Sequence, residues 1–182
     1  MARSKDPAIR RQLLEAIADV AEREGLSALA LRPLGDAVGA SPRTLLYHFG
    51  SKDDLVAAVI DAVIGRLRAL IARWANASVG YGVRDLIRRA WSGLAAPRNR
   101  GLIALFFECA STPANPAAAA IVSEWNAVFS REFGRRGIAR DRASVLAALT
   151  TATLHGCVLD LIATNDRARV NRAFASFLAA IE

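Results

Sequence analysis

The residues of this chain best equipped to act on a partner fall in one run, SPRTLLYHFGSK, from Ser41 to Lys52. It gathers a guanidinium (Arg43), a phenol (Tyr47), an imidazole (His48) and an ammonium (Lys52) within a few helical turns. No paired carboxylates and no nucleophile–base set accompany them, so the pattern points to recognition and away from bond-making. On a helix laid in the major groove, an arginine pairs with guanine O6 and N7, and a leucine such as Leu46 touches a thymine methyl. Tyr47, His48 and Lys52, toward the end of the helix, suit the sugar-phosphate backbone. The candidate contacts to duplex DNA are therefore Ser41, Pro42, Arg43, Thr44, Leu46, Tyr47, His48 and Lys52. Arg32 joins them from the segment before, and Arg3 and Lys5 from an N-terminal arm.

The elements that must carry these side chains are clearly punctuated. Asp6-Pro7 is an N-cap followed by proline at the first helical position, where its missing N–H costs nothing. Ile9, Leu13, Ile17 and Val20 then form one apolar stripe, and Gly25 is expected to end the helix in the left-handed conformation. A short helix over Leu31 to Val38 ends at Gly39, and Ser41-Pro42 restarts the chain. Two short helices joined by a three-residue turn with glycine make a helix-turn-helix. The helix begun at Pro42 ends at Gly50; Ser51 opens the next, with Asp54 completing a capping box. The free N–H groups behind Ser51 are a further candidate phosphate site.

Apolar residues recur at three and four throughout and nowhere at two, so the chain reads as all-α, with about nine helices. Leu55, Val59, Val63, Leu67, Leu70 and Trp74 hold one face of a long fourth helix. Gly80 and Gly82 mark a loop, Pro97 a stop, and Asn115-Pro116 a new start. The expected organisation is a three-helix head, residues 1–50, and a helical bundle, residues 51–182.

The run SPRTLLYHFGSKDDLVAAVI resembles the recognition helix and following segment of TetR-family repressors, in which a Thr-Leu-Tyr-x-His-Phe block precedes a small residue and Lys-Glu-Glu-Leu. The upstream GLSALALRPLGDAVGAS is similar to that family's first two helices, and the resemblance covers roughly residues 9–60. The family's usual tyrosine falls at Leu46, with Tyr47 beside it, and Ala30 stands where a capping Ser or Thr is common. The resemblance implies a homodimeric repressor that a small-molecule effector releases from a palindromic operator. It also implies that the last two helices pair with their symmetry mates; on their wide apolar faces lie Leu146, Thr150, Leu154, Val158, Phe174, Phe177 and Leu178.

For the effector, the sequence offers apolar helices carrying aromatic and isolated polar groups. Trp74, Trp91, Phe106, Phe107, Cys109, Trp125, Asn126 and His155 are the candidates, with Glu108 and Asp160 as further polar groups. An alternative class is a helical small-molecule-binding protein whose helix-turn-helix is vestigial; steep loss of DNA affinity with salt would argue against it. No cofactor is expected. His155-Gly156-Cys157 has no third ligand at suitable spacing, so no metal is expected either.

Composition sets the outer bounds. The 182 residues are 53% apolar, enough for a packed core. Two cysteines, Cys109 and Cys157, make no disulfide framework and fit a reducing cytoplasm. The charged first residues lead us to expect no secretory signal. The longest uncharged stretch, Ala143 to Leu159, contains Ser144, Thr150, Thr151, Thr153 and His155 and reads as a helix buried in protein, not in lipid. The net charge of +7 suits a polyanionic partner. Yet residues 51–100 supply most of the excess, and the head is nearly neutral.

Overall fold

Each helix start foreseen from a cap is present in the computed structural model, which describes residues 6–77, 80–111 and 116–181. The Asp6 carboxylate accepts from Ala8 N–H at 2.8 Å and opens α1, Pro7–Glu24. A single 3₁₀ turn, Leu26–Leu29, leads to α2, Leu31–Val38, which has no side-chain cap because Ala30 has nothing to offer. Ser41 accepts from Thr44 N–H at 3.0 Å and starts α3, Pro42–Phe49. Ser51 and Asp54 cap each other at the head of α4, Lys52–Asn76.

The remainder is α5 (Val83–Leu94), a 3₁₀ turn at Pro97–Asn99, α6 (Arg100–Ala110), α7 (Pro116–Arg135), α8 (Arg140–Thr164) and α9 (Arg167–Ala179). The described residues thus hold nine α-helices and no strand. The expected cap at Asn115 lies outside them, as do Arg3 and Lys5.

Apolar burial runs unbroken from head to body. Ile17, Ala21, Leu34 and Leu45 of the first three helices pack with Leu55 and Val59, the first turns of α4. The same helix continues through Val63 and Leu67 to Trp74 in the bundle. A break at residue 50 is therefore a change of role along the chain and not a gap in the core.

Two polar contacts and one close backbone approach fix the head on the body. Arg66 of α4 reaches α1, its guanidinium meeting Glu15 at 2.5 Å, Asp19 at 2.8 Å and Glu22 at 2.6 Å. One cation facing three carboxylates is a better clamp than an isolated surface pair, because the bonds are charge-assisted and the guanidinium is partly desolvated. At one end of α6, Gly101 lies so close to α1 that an added Cβ would sit 2.2 Å from the Glu22 carbonyl oxygen. At the other end, Glu108 accepts the Leu26 N–H with both oxygens, at 3.1 and 3.0 Å. Glu108 thus serves the head and not an apolar pocket.

Gly25 differs from expectation in one respect. Its φ is positive, at 83°, but its ψ of 177° takes it out of the left-handed helical region. The chain must swing sharply enough at this point to aim Leu26 N–H at Glu108, and only glycine adopts that conformation cheaply.

Helix α8 is long and apolar enough to cross a membrane by composition, yet it packs against α5, α6, α7 and α9. Ala143, Ala147, Thr150, Thr151, Leu154, Val158 and Leu161 bury its inner face.

Candidate nucleic-acid interface and internal cavities

Helix α3 presents two faces, and their division follows from its short length. Leu45, His48 and Phe49, at i, i+3 and i+4, are buried against the head. That leaves Pro42, Arg43 and Tyr47 outward, with Thr44 and Leu46 half-buried beside them. Arg43 and Lys52 are exposed and make no hydrogen bond or ion pair among the described residues, and the same holds for Arg32 on α2. Tyr47 is 42% exposed and stands edge-on to the His48 ring, 5.1 Å between centroids.

His48 is the exception among the sequence candidates. Only 8% of it is exposed, and its Nδ1 is buried without a hydrogen-bond partner. Its place on the inward stripe with Leu45 and Phe49 puts it in the packing of the head. At the start of α4 a carboxylate sits beside the N–H groups considered for phosphate. The Asp54 carboxylate accepts from Ser51 N–H at 3.1 Å and from its hydroxyl at 2.7 Å, so a negative charge already occupies that terminus. Ser41 and Thr44 are bound to each other, Oγ to Oγ1 at 2.8 Å, as the cap of α3. Sequence reasoning missed Arg10, whose guanidinium lies 5.0 Å over the Phe49 ring and extends the basic surface onto α1.

The turn that aims α3 is tightly specified. The Gly35 carbonyl accepts from Gly39 N–H, the bond of an αL helix stop, and also from Ala40 N–H at 2.9 Å. Gly39 is left-handed at φ 67°.

In the body, the eight candidate effector residues divide. Trp74, Phe106, Phe107, Trp125 and His155 form one aromatic cluster: Trp74 stacks on Trp125 at 6.1 Å, and the His155 ring lies 5.8, 5.8 and 6.2 Å from Phe106, Phe107 and Trp125. Cys109 is buried, its thiol pushed up by desolvation and by the neighbouring Glu108. The Asn126 amide oxygen is buried without a partner, as are the hydroxyls of Thr150 and Thr151. Trp91 belongs elsewhere, stacked on Phe174 at 5.1 Å and donating to Asn171 at 3.0 Å. Asp160, a further polar candidate, pairs with Arg169 at 2.6 Å on the surface.

The space inside the aromatic cluster is only about 10 Å³, roughly one water. A cavity of about 290 Å³ lies beyond it, past the shared residues Leu94, Ile103 and Val158. None of the eight candidates lines this larger space, whose mouth carries Arg100, Asn165 and Arg167. Of its two arginines, Arg100 belongs to the arginine excess of residues 51–100 and Arg167 lies far along the chain, so the sequence did not announce it. Among the described residues, no three His, Cys, Asp or Glu side chains gather as metal ligands.

Burial among rings lowers the pKa of His155, the cause being desolvation of the imidazolium. Above the ordinary imidazole pKa, near 6.5, both folded and unfolded states hold it neutral. On acidification the unfolded chain takes up the proton first, so stability falls from about pH 6.5 toward the lower folded pKa. The melting temperature of the wild type is expected to drop more between pH 7.5 and 5.5 than that of His155→Leu. Equal drops would remove His155 from that role.

The comparisons with known proteins agree with this geometry. Residues 13–59 match the bacterial regulatory proteins of the tetR family. The chain is 30% identical over 66 residues to an HTH-type transcriptional regulator of Saccharopolyspora erythraea, a match spanning 36% of this chain and 28% of that one. It is 33% identical over 85 residues to the HTH-type transcriptional regulator BetI of Rhizobium meliloti, spanning 46% and 42%. The matches cover less than half the length of either curated relative.

Whole-chain likeness comes from solved structures. A TetR-family regulator from Cytophaga hutchinsonii superposes with a TM-score of 0.78 at 16% identity, over 98% of this chain and 96% of that one. A transcriptional regulator from Rhodococcus sp. Rha1 gives 0.75 at 23% identity, over 94% and 95%. A structure from Saccharomonospora viridis, solved in complex with choline, gives 0.70 at 19%, over 97% and 98%. The resemblance read from residues 9–60 therefore holds for the head, and the all-α fold holds throughout.

Proposed function

We propose that this protein is a homodimeric transcriptional regulator of the TetR family, a cytoplasmic repressor that a small-molecule effector releases from a palindromic operator. One observation carries the reading. The outward face of α3 bears Arg43 and Tyr47, and Lys52 follows one turn beyond, on a helix-turn-helix whose matched residues are those of the tetR family. Arg43 reads a base edge, Tyr47 and Lys52 hold the backbone, and Arg32 and the N-terminal arm add phosphate contacts. Residues 1–50 form the reading head. Residues 51–182 sense and dimerise, with α4 passing between the two. The effector binds the state with misaligned heads more tightly, and that difference in affinity lowers occupancy of the operator.

The dimer uses a stripe the protomer leaves uncovered. Thr150, Leu154, Val158, Phe174 and Leu178, expected at the interface, are buried within the protomer, while Leu146 and Phe177 are half-buried. Among the exposed positions of α8, Val145, Leu149, Ala152, Gly156, Leu159 and Ala163 form one stripe, spaced by four and three in turn. Val145, Leu149 and Leu159 are 62, 55 and 50% exposed. This alternation is the seam of a helix pair, and a two-fold axis through it sets two α3 helices one duplex turn apart.

Leu149→Glu is expected to yield monomers by analytical ultracentrifugation and to lose binding to a two-half-site operator. A dimer that survives this change places the interface elsewhere. The reading as a whole is tested by gel shift on the protein's own upstream region. A shifted band that weakens steeply with salt supports it. A monomer indifferent to every duplex fragment of its genome sinks it.

A further inference from the structure

The mouth of the 290 Å³ cavity is arranged for a negative charge. Arg100 opens α6 and Arg167 opens α9, and both line the space. Arg100 donates to the Asn165 side-chain oxygen at 2.7 Å and to the Ile162 carbonyl at 3.2 Å. Arg167 donates to the Ala95 carbonyl at 2.7 Å. Every one of these acceptors is neutral, and each guanidinium has five N–H donors, so most remain unused.

The acids around these arginines are engaged elsewhere: Asp19 and Glu22, which line a neighbouring space with Arg100, pair with Arg66. Asp160 and Asp166 both pair with Arg169, at 2.6 and 3.5 Å, which points its guanidinium at them and away from the cavity mouth. No carboxylate lines the cavity. Behind the two arginines its walls are hydrocarbon: Leu94, Ile103, Val158 and Leu161. Uncompensated positive charge at the rim of an apolar hole of ligand size is a binding site with a stated polarity.

We propose that this cavity takes a small organic monocarboxylate with an apolar body, its carboxylate held between Arg100 and Arg167 and its hydrocarbon against Ile103 and Val158. The assignment names the effector class of the regulator proposed above and rests on that reading for its consequence. The consequence follows from position. Arg100 is joined directly to Gly101, which bears on the last turn of α1 at Glu22. A carboxylate that draws Arg100 off Ile162 and Asn165 shifts the start of α6, and with it the head.

Sodium octanoate is the probe, titrated calorimetrically into the full-length protein, with octanamide and sodium acetate as comparisons. Octanoate is expected to bind, and octanamide to bind at least about tenfold more weakly, as loss of a charge-assisted pair implies. Arg100→Gln and Arg167→Gln are each expected to weaken octanoate at least about tenfold by the same reasoning. Ala96→Leu keeps both guanidiniums, fills part of the cavity and is expected to block octanoate; it guards against an arginine variant that misfolds.

Equal affinity for octanamide, undiminished binding by both arginine variants, or no heat with octanoate overturns the proposal. So does acetate binding as well as octanoate, which would mean an adventitious ion only. Failure of the regulator reading has a different signature. The ligand-free protein would then not shift DNA, a result the calorimetry does not depend on.

Discussion

Gly35→Ala is expected to cut operator affinity at least about tenfold and to lower the melting temperature, because the new methyl has nowhere to go. Its Cβ would lie 2.4 Å from the Ala40 carbonyl oxygen, a backbone atom in the turn between α2 and α3. Relief requires that turn to open, which lengthens the Gly35–Ala40 hydrogen bond and swings α3, whose first residue Pro42 is also within 3.5 Å of the added atom. Overpacking of this kind typically costs about 1–3 kcal/mol. For a chain of this size that corresponds to several degrees of melting temperature.

Gly39→Ala supplies the contrast. It meets nothing within 4 Å and carries only the strain of φ 67°, about 1 kcal/mol. Circular dichroism melts and gel shifts on the two variants separate steric from conformational cost. If Gly35→Ala were as mild as Gly39→Ala, the close approach in this turn would not be what aims α3.

That contrast also shows where the sequence was legible. Gly39 announces itself, since glycine after a short apolar helix is a known stop. Gly35 instead reads as a weakness in α2, and only the path of the chain five residues later shows what it is for. Caps behave like Gly39: Asp6, Ser41 and Ser51 act on neighbours two or three residues away, so type and spacing were enough to place the helix starts. Packing across the chain behaves like Gly35. The inward turn of His48 depends on which face of an eight-residue helix meets the core. The engagement of Glu108 with Leu26 joins positions 82 apart. In the body, the aromatic cluster around His155 leaves only a 10 Å³ void, while a cavity of about 290 Å³ is edged by arginines that look like ordinary surface charge. The two sides of α8 were hidden for the same reason: the helix is apolar on most sides, so composition alone could not tell the buried stripe from the exposed one.

The largest loss of function is expected from the triple variant Arg43→Ala, Tyr47→Ala, Lys52→Ala. A base-reading arginine contributes about 1–3 kcal/mol of discrimination, and each backbone contact adds affinity independent of sequence. Losing all three in both protomers should weaken operator binding more than about a thousandfold, since each 1.4 kcal/mol is tenfold. The salt dependence discriminates further. Arg43 and Lys52 remove two cations per head, so the slope of log affinity against log salt should fall by about two units for each head engaged. Stability should move far less than operator binding, because Arg43 and Lys52 are exposed without partners among the described residues and the main packing lost is the edge contact of Tyr47 with His48. His48→Ala should do the opposite, lowering the melting temperature first, since only 8% of its surface is exposed. A triple variant that melts like the wild type and still binds the operator fully would show that α3 does not read DNA with this face.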